Sequence, residues 1–92
     1  KYLKNNSKLL TQIINKNLKY PSLAIRLKQF GIVAVEFDLK KNGNIDNLKI
    51  INSSQYEILD KCALDTINKS YKEFPKPKED ITIEFPINFE LY

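Results

Sequence analysis

The chain has no histidine, no tryptophan and no methionine; its 92 residues include one cysteine and two glycines. Arg26 is the only arginine. Each scarcity removes a class of chemistry. Without histidine there are no imidazole metal sites, no Ser–His triads and no histidine proton shuttles. Cys62 stands alone, so no intrachain disulfide can form and the redox compartment stays open. Base readout and bidentate phosphate clamping draw on arginine, so a nucleic-acid role starts from a poor inventory. No phosphate-cradling glycine loop or nucleophile–base pair is present, which sets an enzyme aside. No apolar run approaches the ~20 residues of a membrane span, and no signal-peptide pattern opens the chain.

What is present is the composition of a globular domain. The fractions of 42% hydrophobic and 28% charged residues suit a folded, soluble unit rather than a disordered tail. A chain of this length buries about two-thirds of its unfolded surface, enough for one modest core. The net charge of +4 favours acidic partners or an anionic surface, although the lysines are scattered. Because the first residue is Lys1 and not Met, the chain is expected to be a fragment of a longer protein, with any membrane anchor in the remainder.

Along the chain, Ser7 is a helix N-cap candidate, and Leu9, Leu10, Ile13, Ile14 and Leu18 recur at helical spacing behind it. This predicts a helix over 8–18 that stops before Pro21. Pro21 then suits the first position of a second short helix, "PSLAIRLKQF", closed by Gly31. "GIVAVEFDL" alternates as a strand with Val33, Val35, Phe37 and Leu39 on one face. Asn42-Gly43 reads as a hairpin loop, and "IDNLKII" returns with a bulge expected near Asn47. Ser54 and Glu57 have capping-box spacing ahead of a long helix. Its inner face would be Leu59, Cys62, Ala63, Thr66, Ile67 and Ser70, with an Asp65–Lys69 ion pair outside. A proline-broken connector, "KEFPKPKED", leads to the last strand. The predicted fold is α+β, ααββαβ: a three-stranded antiparallel sheet in the order 2-1-3, packed against the long helix, with one or two short N-terminal helices.

The last stretch, "EDITIEFPINFELY", places Ile81, Ile83, Phe85, Ile87, Phe89 and Leu91 on alternate positions, yet Pro86 interrupts it. Proline gives no N–H to a ladder. In an antiparallel strand the amides of successive residues point to opposite sides. If the odd residues bond inward to the first strand, Pro86 removes a donor only from the open edge. Two readings of that edge follow. Pro86, Glu84 and Glu90 can blunt it against stray pairing, or Thr82, Glu84, Asn88 and Glu90 can form a docking edge for an extended peptide.

The sequence resembles the TonB C-terminal domain family, periplasmic energy transducers of Gram-negative bacteria, from about Asn17 to Leu91. The resemblance rests on "YPSLAIRLKQFGIVAVEFDLKKNGNIDNLKIINSS", "LDKCALDTI" and "ITIEFPINFEL". The family features are Tyr20-Pro21, Gly31, Phe37, Asn42-Gly43, Leu59-Asp60, Cys62-Ala63, and Pro86-Ile87 with Phe89, all in order. The resemblance implies a non-enzymatic periplasmic domain of an inner-membrane-anchored protein that works with ExbB and ExbD. It also implies capture of the TonB box of outer-membrane transporters by strand addition to the last strand. Proton-motive-force energy would then drive uptake of iron chelates or cobalamin. The partner-binding residues so implied are Thr82, Ile83, Glu84, Phe85, Pro86, Ile87 and Asn88, with Asn17, Lys19 and Tyr20. No cofactor, metal, nucleic acid or small-molecule substrate is implied. Pairing of two copies through the same edge is a further expectation.

Two departures stand out. A Gln-Pro-Gln run precedes Tyr-Pro in the family, whereas Asn17-Leu18-Lys19 stands here. The helix ends in Tyr71-Lys72-Glu73-Phe74 where the family has Trp-Arg-Tyr/Phe. The chain divides into 1–19, an N-terminal helix either packed on the core or swinging over the docking edge, and 20–92, the core. A TolA-type cell-envelope domain is the alternative, although Tyr20-Pro21 and Pro86-Ile87 favour the first family. Cys62 reads as a buried inert thiol. The strand phenylalanines share the core register, which argues against an RNA-stacking platform.

Overall fold

The computed structural model describes residues 1–90. The order is α1 (Tyr2–Asn17), α2 (Ser22–Arg26), β1 (Gly31–Leu39), β2 (Ile45–Asn52), α3 (Glu57–Ser70), a 3₁₀ turn (Tyr71–Glu73) and β3 (Ile81–Phe89). The strands form one antiparallel sheet in the order β2-β1-β3, as the sequence predicts. The Leu91 end of the alternation lies outside the described residues.

Helix α1 starts six residues before the predicted Lys8. Lysines and asparagines hide its first turns, but Tyr2 and Leu3 extend the stripe of Leu10, Ile13 and Ile14 onto the core. Ser7 is therefore an interior residue, its carbonyl accepting the Thr11 hydroxyl at 2.9 Å. Helix α2 is shorter than predicted. Pro21 sits at its N-cap, and the helix closes at Lys28 rather than at Gly31. Lys28 takes φ 56°, and the amides of Lys28 and Gln29 donate to the carbonyls of Ile25 and Ala24 at 3.0 and 2.8 Å. This is the paired bonding of a Schellman end with lysine in the place glycine usually takes. Gly31 instead opens β1 at φ +152°, a backbone setting that a side chain would strain.

The β1–β2 register slips twice, between Ala34 and Val35 and between Glu36 and Asp38. The second slip is the expected bulge: Asn47 adopts φ 56° and donates its side-chain amide to Asp38 at 2.7 Å. Thr82 of β3 donates to the other oxygen of Asp38 at 2.7 Å. One carboxylate on the central strand thus ties both edge strands together on the open sheet face. Those two hydrogen bonds, from Asn47 first and Thr82 second, hold Asp38 below its ordinary pKa. At the hairpin only Gly43 needs positive φ; Asn42 instead folds its side chain back to accept the Asn44 amide.

The predicted capping box does not form. Helix α3 begins at Glu57 with Tyr56 as N-cap and no side-chain cap bond. Gln55 takes φ 76°, and the carboxylate returning to Ser53 and Ser54 belongs to Asp60, three residues further along than Glu57. Asp65 and Lys69 are not among the ion pairs of the described residues. Leu59, Ala63, Thr66, Ile67 and Ser70 are buried as predicted, with Cys62 only half-buried. They face Val33, Val35, Phe37 and Leu39 of β1 and Ile83, Ile87 and Phe89 of β3, which with Leu10, Ile13 and Ile14 make one core. Phe37 stacks on Phe74 at 6.1 Å between ring centroids, closing the core beneath the connector.

Candidate functional site

The sheet has two open edges of different quality. The β2 edge is kinked by two register slips and a left-handed Asn47, which spoil it as a template for another strand. The β3 edge is regular: nine consecutive residues, Ile81 to Phe89, pair with β1 without a break. Pro86 stands opposite Ala34 in that ladder. Lacking an N–H, it can do so only as a member of a non-hydrogen-bonded pair. Phe85 and Ile87 then exchange bonds with Val35 and Val33, and Thr82, Glu84 and Asn88 direct their amides away from the sheet. The outward edge therefore offers donors at 82, 84 and 88, and acceptors at 82, 84, 86 and 88.

The side chains agree with this division. Thr82, Glu84, Pro86 and Asn88 are exposed, while Ile83 and Ile87 are buried and Phe85 half-buried. Ile83, Phe85 and Ile87 belong to the same edge strand, while their own amides serve the internal ladder.

Beneath this edge lies α1. It packs on α3, and its C-terminal half faces β3 across a groove of about 410 Å³. Thr11, Ile14, Asn15, Leu18 and Tyr20 line the groove against residues 85–88. Two helices side by side, each ~10 Å across, span ~20 Å. Three strands at ~4.8 Å spacing occupy ~14 Å. On those typical widths two helices exceed three strands by about one strand, and the groove lies between α1 and β3.

The structure brings Tyr20 to the groove, where its ring meets Phe89 edge-on at 5.4 Å and its hydroxyl donates to the Gln29 carbonyl. It places Asn17 and Lys19 elsewhere. The Asn17 side-chain amide reaches the Ile13 carbonyl at 3.0 Å, Ser70 Oγ at 3.0 Å and Glu73 Oε2 at 3.2 Å. It thereby clamps α1 to the end of α3. Lys16 joins the same Glu73 carboxylate, and these two hydrogen bonds, Lys16 first, pull Glu73 below its ordinary pKa. Lys19 lines a separate hollow with Lys61 and Asp65, and its carbonyl accepts the Cys62 thiol at 3.2 Å. Burial raises the Cys62 pKa and keeps the thiol protonated. Helix α1 is thus docked on the core rather than swung across the edge. Sequence reasoning missed Thr11, Ile14, Asn15 and Leu18 as groove residues. Their i, i+3, i+4, i+7 spacing marks one flank of a helix, but periodicity does not say which neighbour that flank meets.

Among the described residues no group of acidic or cysteine side chains could hold a metal ion, and no helix is long and apolar enough to cross a membrane. What the site can do is pair main chain with main chain, with a partly apolar groove beside it.

A family model for the Gram-negative bacterial TonB protein C-terminal region matches residues 16–91. A TonB protein of Campylobacter coli is 37% identical over 92 residues, covering 97% of this chain and 40% of its own length. A Helicobacter pylori TonB is 33% identical over 84 residues, covering 91% of this chain and 29% of its own length. The chain thus spans less than half of these curated relatives. An NMR structure of Helicobacter pylori TonB-CTD superposes with a TM-score of 0.80 at 28% identity, covering 90% of this chain and 78% of that one.

Proposed function

This chain belongs to the Gram-negative TonB C-terminal family, and from that premise we propose that its β3 edge captures the TonB box of outer-membrane transporters as a fourth strand. The observation that carries the proposal is the unbroken, exposed β3 edge beside the groove that α1 lines. Main-chain bonds to Thr82, Glu84, Pro86 and Asn88 supply the grip, in the manner of β-strand addition. Tyr20 and the α1 flank bound the site. Asn17 acts at a distance by holding α1 in place, and Lys19 stands outside the contact.

In the whole protein this domain occupies the periplasm, and the remainder anchors it in the inner membrane and engages ExbB and ExbD. Force derived from the proton-motive force passes through the β3 grip to the transporter, for uptake of iron chelates or cobalamin. The role is mechanical rather than catalytic. Pairing of two copies through β3 would compete with capture, because both use one edge. The TolA-type alternative has no observation in its favour now that the family match falls on the other side.

The test is an NMR titration of the chain with a synthetic TonB-box peptide and a scrambled control. Shifts concentrated on 81–89 and on Thr11–Tyr20, absent with the scramble, are expected. Shifts confined to β2, or identical shifts with the scramble, would refute edge capture.

A further inference from the structure

Helix α2 inverts the usual arrangement of a surface helix. Such helices ordinarily turn their aliphatic side chains inward. Here the buried residue is Ala24, while Leu23, Ile25 and Leu27 are 45%, 48% and 57% exposed. The left-handed turn at Lys28 then reverses the chain, and Phe30 and Ile32 follow at 62% and 55% exposure. Five of the eight large apolar residues exposed among the described residues thus fall between positions 23 and 32, which makes a patch rather than scatter. Ile25, Phe30 and Ile32 wall a hollow of about 750 Å³ at the end of the sheet where Gly31 pairs with Phe89.

Charge is segregated toward the same part of the chain. Residues 1–35 hold seven lysine or arginine residues and no aspartate or glutamate, a net of +7. Residues 36–92 hold eight basic and eleven acidic residues, a net of −3. Arg26 and Lys28 lie within the patch itself, both exposed and neither among the ion pairs of the described residues. The acidic residue at the rim of the hollow, Glu90, accepts the Asn88 side-chain amide at 2.6 Å.

We propose that the α2 tip docks on an anionic phospholipid surface, a contact separate from strand capture. Leu23, Ile25, Leu27, Phe30 and Ile32 enter the boundary between headgroups and acyl chains, ~5–10 Å deep. Arg26 and Lys28 keep their charged ends among the lipid phosphates while their stems lie along the apolar side chains. Binding of this kind grows with buried apolar area and with attraction to anionic lipid, and the tip supplies both. A nucleic acid would leave the aliphatic side chains without a partner. A second copy is a poor occupant on area: five half-exposed apolar side chains present on the order of 400 Å², about half of the ~800 Å² per partner that a stable dimer buries. Docking by this end of the sheet leaves residues 81–86 of the β3 edge open to solvent.

The test is co-sedimentation of the 92-residue chain with vesicles of equal parts phosphatidylglycerol and phosphatidylcholine, against vesicles of phosphatidylcholine alone. Binding to the anionic vesicles is expected, with a nitroxide-headgroup lipid broadening the amides of 23–32 before those of α3. The I25S/F30S variant, altered only at exposed positions, is expected to bind ~10–100-fold more weakly. R26Q/K28Q is expected to lose ~5–30-fold at low salt and much less at high salt. Thermal unfolding shows that each variant is folded. Failure of the parent chain to sediment with anionic vesicles would overturn the proposal. So would parent-like binding by I25S/F30S, which would mean adsorption through scattered lysines. A concentration-dependent dimer that I25S/F30S abolishes, with no vesicle binding, would overturn it as well and assign the patch to a second copy.

Discussion

The division of β3 into inward and outward amides makes a sharp prediction for a pair of proline substitutions one residue apart. Glu84→Pro removes an outward N–H that the fold does not use, from an exposed side chain. Its cost is mostly backbone adjustment toward proline's fixed φ, ~1 kcal/mol, because edge positions accept proline. For a domain of this length that lowers Tm by ~4–8 °C. Phe85→Pro removes an inward N–H paired with Val35 and a half-buried ring. The lost ladder bond leaves a Val35 carbonyl unpaired at ~1–3 kcal/mol, and the lost ring adds ~1–2 kcal/mol. The sum, ~2–5 kcal/mol, takes a large share of a total stability on the order of 5–14 kcal/mol. Thermal unfolding and urea titration measure both. Peptide titration supplies the complementary readout: Glu84→Pro folds but loses one of three edge donors, weakening capture by ~2–10-fold. Equal destabilisation by the two substitutions would mean that the amide assignment, and with it the docking edge, is wrong.

Other expectations follow from the same structure. Asp38 has a depressed native pKa, so the folded state holds its proton less readily than the unfolded chain does. Its stabilisation is complete above the ordinary unfolded value of ~3.9 and is lost as pH falls through the lower native value. D38N should flatten the acid limb of stability against pH; an unchanged limb would show that the strap across the strands carries nothing. Asn17→Ala frees α1 from Ser70 and Glu73 and should cost ~1–2 kcal/mol, with the α1 amides exchanging faster than those of α3. Uniform loss across both helices would contradict the clamp. Cys62, with its pKa raised by burial, should react with iodoacetamide at neutral pH more slowly than a free thiol. Faster reaction would mean an environment other than the one described.

How far the sequence revealed this fold varies element by element. The period-two runs Gly31–Leu39 and Ile81–Phe89 gave strands with their faces correct, because alternation across a half-buried sheet is a direct physical signal. Proline at position 86 told which way the amides point. Other features depended on partners distant in sequence. Tyr2 and Leu3 become helical because the core receives them, not because "YLKNNSK" is strongly periodic. Asp60 reaches Ser53 and Ser54 because Gln55 turns left-handed, which no local pattern announces. The same holds for the site. The edge was legible, but the groove needs α1 placed beside β3, and Asn17 needs Ser70, fifty-three residues away. The resemblance to a family implied Asn17 and Lys19 as contacts; in the structure the Asn17 side chain reaches Ile13, Ser70 and Glu73, and the Lys19 carbonyl accepts the Cys62 thiol.

The most direct test of the central claim is amide hydrogen exchange, residue by residue along β3, in the free chain and with a TonB-box peptide bound. The account predicts fast exchange at Thr82, Glu84 and Asn88 and slow exchange at Ile83, Phe85 and Ile87 in the free monomer, with the first set becoming protected on binding. Equal protection of both sets in the free monomer, or a bound state in which 82, 84 and 88 still exchange freely, would contradict it.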